Sequence, residues 1–259
     1  MFDALYVGAT GMRGQQLQID TIAHNLANLN TVGYRRSITS FAEISSALSV
    51  SEIAAIASPN SLVHARGAGS MAQVTLSSLA GELKSTGEPL DIAIDGLGFM
   101  EVVRADGTPA YTRAGKLKID ADGMLALADG SVLAAQIQIP TDAEEVRIAT
   151  DGRVMVVSGP DGDAVEVGRI ELVTVPNPAA LRAIGDNLFV ASAQAGEPQT
   201  ASPGELGLGT LRQGYLESSN VQMADELVTL MLAQRAFEMN ARVVQAADQM
   251  MSITNSLYR

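Results

Sequence analysis

Apolar residues follow three different rhythms along the chain. Near the carboxyl terminus, Leu232, Ala236, Met239, Val243, Ala246, Met250, Ile253 and Leu257 alternate spacings of four and three, the seam of a heptad repeat. A second line, Met223, Leu230, Phe237, Val244, Met251 and Tyr258, keeps a seven-residue spacing beside it, so the apolar surface is wider than a two-stranded coiled coil uses. No Pro or Gly interrupts Asn220–Leu257, and Ser219 with Gln222 three positions on matches a capping box. These features predict one helix of roughly 57 Å at about 1.5 Å per residue. An isolated core helix of that length would need an equally long partner, and the only evident one lies at the other end of the chain.

There, Leu5, Met12, Ile19 and Leu26 recur every seven residues, with Ile22 and Ala23 thickening the stripe, and predict an amino-terminal helix. Gly8, Gly11 and Gly14 interrupt it at every third position. Each weakens a helix by about 1 kcal/mol relative to Ala. Either the start frays, or the missing side chains let another backbone come close. The run Ala27-Asn28-Leu29-Asn30-Thr31-Val32-Gly33 ends the helix, since Asn and Gly readily form C-caps and turns.

The centre alternates with a period of two. Short runs such as Leu90–Ile94, Phe99–Val103 and Arg153–Val157 are separated by Asp-Gly pairs at 95–96, 106–107, 122–123, 129–130, 151–152 and 161–162. Asp-Gly supplies the positive φ angles of type I′ hairpins, which predicts an antiparallel β domain. Residues 42–78, rich in Ser and Ala, read as an extended or partly helical connector. The predicted fold is therefore α+β: long terminal helices pairing as a coiled coil, with an inserted antiparallel β domain. The expected division is 1–34 with 215–259 as the helical part, 35–78 as connector and 79–214 as the β-rich part.

Charge sharpens this division. The chain has 259 residues, 47% of them apolar, and a net charge of -12 from 17 basic and 29 acidic side chains. Residues 1–40 carry three Arg against two Asp and residues 211–259 four Arg against five acids, so the acidity lies in the middle. Such a charge repels phosphate backbones and anionic lipid, which argues against nucleic acid and direct membrane insertion. Near-neutral, apolar ends flanking an acidic centre imply ends that become buried and a centre that meets water. No stretch of about 18 apolar residues is present, and the first fifteen residues lack the basic start and apolar run of a secretory signal.

The chemistry of a catalytic or metal site finds little support. With no Cys, thiolate catalysis, iron–sulfur clusters and Cys-type zinc sites are excluded. Only His24 and His64 offer imidazoles, and His24 sits where a structural or solvent-facing role is expected. Asp120-Ala-Asp122-Gly123 begins like a calcium loop, but Leu125 and Ser131 stand where Gly and Glu belong. Arg113-Ala-Gly115-Lys116 begins like a phosphate loop, but Leu117 replaces the metal-binding hydroxyl residue. Most Asp residues are explained by turns, leaving no pair singled out as a glycosidase dyad. No catalytic, cofactor or metal residue is assigned.

Several long motifs in fixed order, however, resemble the axial rod and hook proteins of the bacterial flagellum. Ala23-His-Asn-Leu-Ala-Asn-Leu-Asn-Thr-Val-Gly-Tyr-Arg-Arg36 is similar to that family's amino-terminal signature, with Asn25, Leu26, Ala27, Asn28, Thr31, Gly33 and Tyr34 as its matching core. Gln213-Gly-Tyr-Leu-Glu-Ser-Ser-Asn-Val221 is similar to the carboxyl-terminal one, with Gln213, Gly214, Ser219, Asn220 and Val221. Between them, Ser85–Phe99 and Ala110–Gly115 also match, whereas residues 42–75 do not. His24 stands where the family usually has Asn, and Tyr34-Arg35 replaces a common Phe-Lys.

The resemblance implies a non-enzymatic subunit of a tubular helical homopolymer, most similar to the distal rod and next to proximal rod and hook subunits as alternatives. It implies further neighbours: proximal rod and hook proteins along the axis, ring proteins of the periplasm and outer membrane around it, and the flagellar type III export apparatus in place of a cleaved signal peptide. The assembly interface expected from the apolar patterns comprises Leu5, Met12, Ile19, Ile22 and Leu26 in the first helix. In the last it comprises Leu230, Leu232, Ala236, Phe237, Met239, Val243, Val244, Ala246, Met250, Met251, Ile253 and Leu257. The rival reading is a secreted cell-wall glycosidase with a coiled-coil stalk, and a third is a monomeric binding module whose ends are helical at low concentration.

Overall fold

A computed structural model describes residues 2–43, 70–104, 106–159 and 164–257. The fold is α+β, with helix α1 at Phe2–Ala27, helix α2 at Met223–Leu257 and short strands between them. Two compact units emerge. The helical unit is Met1–Ala27, Ser37–Thr75 and Gln222–Arg259; the β unit is Asn28–Arg36 and Leu76–Val221. Residues 28–34 and 215–221, expected with the helices, thus group with the β unit. Hydrogen bonds explain why: Gly33 N–H donates to Glu217 O at 2.7 Å, and Arg36 N–H to Asn220 Oδ1 at 2.7 Å.

In the helical unit α1 and α2 run antiparallel, as their register shows: a methyl placed on Gly8 would stand 2.8 Å from Val244 Cγ2, and one on Gly11 3.2 Å from Asn240 Nδ2. Gly8 and Gly11 are therefore positions of close packing against α2. The described parts of the connector are two strands, Ser37–Glu43 and Ser70–Leu76, paired with each other. Residues 44–69, with His64, lie outside the described residues, as do Asp161-Gly162 and Tyr258.

Alternation makes the β unit. Phe99–Val103 buries Met100 and Val102 while its odd residues stay half-buried, the period expected of a strand with one core face. It sits in a nine-stranded sheet between Pro109–Thr112 on one edge and Leu172–Thr174 and Val132–Leu133 on the other. A three-stranded sheet, Glu145–Ile148, Arg153–Val157 and Ala164–Arg169, brings Ile148, Val154 and Val156 to the same core as Ile92, Leu125, Leu133 and Leu172.

The Asp-Gly turns need a correction. Gly107, Gly123, Gly130 and Gly152 have positive φ but their Asp partners do not, so none is a type I′ turn, which needs both central residues there. The Asp side chains instead accept backbone N–H groups two residues on, from Thr108 to Asp106, Ser131 to Asp129 and Arg153 to Asp151. Asp95-Gly96 closes no hairpin, because Ile92–Asp95 pairs with the distant Thr210–Gln213. A hairpin whose two central residues do have positive φ is Asp186-Asn187, joining Leu181–Gly185 to Leu188–Ala191, which the Asp-Gly rule passes over.

The start of α2 is also corrected: it begins at Met223, not Asn220. Ser219 Oγ accepts the Val221 N–H at 3.4 Å, two residues on rather than three, so no capping box forms. Asn220 is held outside the helix, accepting from Arg36 N–H and donating to Leu79 O.

Candidate assembly surface

The two apolar lines of α2 have different fates. On the more enclosed face of α2 lie Leu230, Phe237, Val244 and Met251, half-buried, interleaved with the buried Glu226, Ala233 and Ala247 and the half-buried Asn240; of these, Val244, Asn240 and Glu226 meet Gly8, Gly11 and Asn25 of α1. These eight positions alternate spacings of four and three along one face of α2. The stronger apolar line faces the other way. Leu232, Met239, Val243, Met250 and Ile253 are each 55 to 62% exposed, Ala246 is exposed and Ala236 half-buried. On α1, Ile22 is buried and Met12, Ile19 and Leu26 are half-buried, flanking the glycines that meet α2. The side chains of Leu5 and Leu257 lie outside the described residues.

The hairpin's root is polar and specific. Asn25 Nδ2 donates to Ser37 O at 2.8 Å, and its Oδ1 accepts the Ser37 N–H at 2.9 Å, so the amide pairs with backbone as a strand neighbour would. Nδ2 also lies 3.4 Å from Glu226 Oε2 in the first turn of α2. Asn25 is 1% exposed and Glu226 not at all. Buried polar groups of this kind fix register, because a slip leaves them unpaired in a low dielectric. His24, one residue earlier, is exposed in the last turn of α1, where a basic group complements the helix dipole.

Inside the β unit, residues from three of the quoted motifs converge on one carboxylate. Glu217 Oε1 accepts from Arg35 Nη2 at 3.0 Å and Gly81 N–H at 2.8 Å; Oε2 accepts from Arg113 Nη1 at 2.7 Å. Arg113 also donates through Nε to Gly98 O at 2.8 Å and through Nη2 to Gly96 O, and stacks 5.6 Å above the Phe99 ring. Arg35 Nη1 donates to Ser78 O and Leu79 O. All three charged side chains are nearly inaccessible. Burial, with the Arg113 charge adding to it and Glu217 opposing, pushes the Arg35 guanidinium down to about 10, so it stays charged at neutral pH.

Backbone closeness fixes the glycines here. Gly33, at φ +70°, has no room for a Cβ, which would stand 2.7 Å from Arg113 C and O, and one on Gly115 would overlap Ile92 O. Arg113-Ala-Gly115 is thus a structural corner. Sequence reading quoted Arg35, Arg113 and Glu217 within separate motifs but could not pair residues up to 182 positions apart. Gln213 ties sheets together, donating to Pro89 O and Val146 O and accepting from Ile148 N–H, while Gly214 N–H donates to Asp91 O at 2.7 Å. Thr31 donates to Asn28 Oδ1, Tyr34 is buried and Val221 is buried at the edge of its unit.

Chemically, this is an arrangement for holding shape. Among the described residues no three His, Asp or Glu side chains gather as a metal site needs, and no helix is long and apolar enough to cross a membrane. Glu217 is held between two guanidinium groups, Arg35 and Arg113.

Three family models match in order: the flagella basal body rod protein at 5–35, the flagellar hook protein FlgE/F/G D1 domain at 93–156 and the flagellar basal body rod FlgEFG protein C-terminal domain at 212–257. Over its whole length the chain is 37% identical to the flagellar basal-body rod protein FlgG of Borreliella burgdorferi, also matched in full. The chain belongs to the flagellar basal-body rod family. Over 98% of both chains it is 38% identical to FlgG of Caulobacter vibrioides, and it is 36% identical to FlgG of Agrobacterium fabrum over 97% of its own length and 98% of that protein. The matched families are those of flagellar rod and hook proteins, and none is catalytic. All three contributors to the charge cluster fall inside or beside these models: Arg35 in the first, Arg113 in the second and Glu217 in the third.

Proposed function

We propose that the chain is a structural subunit of the flagellar basal-body rod, in its distal part, and that it polymerises into a tubular helical filament carrying torque from motor to hook. In this reading α1 and α2 pair as a coiled coil, and neighbouring copies cover the outer face of α2. The observation that carries it is the exposed line Leu232, Met239, Val243, Met250 and Ile253, aligned along one face of a helix whose other face is already occupied. Covering the open part of five such side chains contributes on the order of 5 kcal/mol per copy, repeated at every site in the filament. The partially buried line Met12, Ile19 and Leu26 of α1 flanks the hairpin and completes the interface. Proximal rod and hook proteins join the ends, ring proteins surround the shaft, and the type III apparatus delivers the subunit to the basal body.

Val243→Asp tests this. Because Val243 is exposed in the single chain, the variant folds with unchanged stability, yet a charge inserted between copies costs several kcal/mol per contact. In a strain lacking its own copy, wild-type chain restores rods in isolated basal bodies and the variant does not. Rods of normal length built from Val243→Asp overturn the packing reading.

A further inference from the structure

The chain passes between its two units four times, at 27/28, 36/37, 75/76 and 221/222. Just inside the β unit, the segments at three of these passages are bound to one another. Glu217 accepts Gly33 N–H through its backbone and Arg35 and Gly81 through its carboxylate, and Asn220 accepts from Arg36 N–H and donates to Leu79 O. The same carboxylate reaches Arg113, whose guanidinium is seated on the carbonyls of Gly96 and Gly98 beside the central sheet.

We infer that Glu217 is a positioning residue for torque transfer: it pins the passages to one another and to the sheet, so that twist enters the β unit through a braced bundle instead of separate strands. The inference rests on the rod reading above.

The choice of side chains supports it. A buried carboxylate between two guanidinium groups adds little net stability over apolar residues of the same volume, so stability alone does not account for three buried charges. Charge-assisted hydrogen bonds are short and directional, and in a water-poor interior they resist displacement. Apolar contacts are non-directional and let segments slide. The cluster therefore supplies geometric stiffness where the chain changes units.

The test compares full-length Glu217→Gln with Leu211→Ala, a truncation of a wholly internal side chain in the same unit that lowers the thermal midpoint without touching the cluster. Each is expressed in a strain lacking its own copy and scored for rods in isolated basal bodies and for motor rotation under light and heavy viscous load. Glu217→Gln is expected to build rods and turn under light load. Under heavy load the turning fraction falls several-fold, because both ion pairs of the carboxylate are lost, while Leu211→Ala turns like wild type. Equal rotation of the two variants under heavy load overturns the pin.

Should Glu217→Gln fail to enter rods, Asn220→Ala decides: it removes the Arg36 and Leu79 bonds from a half-buried position, and wild-type rotation under heavy load then overturns the inference. The wild-type arm separates the two ideas. If wild-type chain restores no rods, the rod reading falls and the pin with it; if it does and the variants resist load, the pin alone falls.

Discussion

In the β unit Ile92, Met100, Val102, Leu125 and Leu172 are fully buried in one apolar cluster, whereas in the helical unit Leu232, Met239, Val243, Met250 and Ile253 each keep more than half their surface open. The enclosed side of the helical unit mixes apolar residues such as Ile22, Ala233 and Ala247 with the buried polar pair Asn25 and Glu226 and with close glycine backbone. The β unit closes an apolar core over its own strands, whereas α2 keeps a regular apolar line in the open. That exposed apolar line is the feature on which the proposed assembly rests. The same heptad arithmetic thus serves two ends, depending on which stripe the intramolecular partner takes.

The contrast can be broken at either unit. Val243→Asp is the largest expected effect, abolishing assembly while the thermal unfolding of the isolated chain stays within about 0.5 kcal/mol of wild type. Leu172→Ala is its complement: a cavity at a fully buried site costs about 2–5 kcal/mol in urea unfolding of the β unit. At concentrations where that unit remains folded, the exposed α2 line is untouched and assembly persists.

Smaller effects sharpen the picture. Gly8→Leu forces a side chain against Val244 and should cost about 1–3 kcal/mol by overpacking, seen as a lower helix-melting midpoint by circular dichroism. Asp122→Ala, at an exposed turn, should stay within about 0.5 kcal/mol and leave assembly intact. Smallest is a titration effect. The Thr108 hydroxyl and N–H hold the Asp106 carboxyl below its ordinary value, so this bond supports the fold above the usual carboxylate range and is lost as pH falls through the lowered value. Thr108→Val should move the Asp106 titration upward by NMR, with no change in rods at neutral pH.

Much of the chain was legible before any coordinates. Both helices, the antiparallel centre and the turns after Ala27 follow from local periodicity, because a helix or strand advertises its buried face at a fixed spacing. Some errors were local, as at the Asp-Gly turns, where the Asp side chain bonds the N–H two residues on; others arose where a partner lies far away. Asn220 looked like helix, but bonds to Arg36 and Leu79 draw it out. Asp95-Gly96 looked like a hairpin, but its strand is claimed by Thr210–Gln213. The charge cluster was visible only as three isolated residues in three motifs.

Sequence alone determined that two wide apolar lines run along one uninterrupted helix, that the termini are nearly neutral and that the centre is acidic and β-rich, since these are properties of spacing and composition. Only the tertiary structure decided which line α1 covers and which it leaves open, and that Arg35, Arg113 and Glu217 share one buried site. Periodicity fixes the direction a side chain takes from its own backbone, but what meets it there depends on segments more than 200 residues distant, and on glycines that let those segments approach.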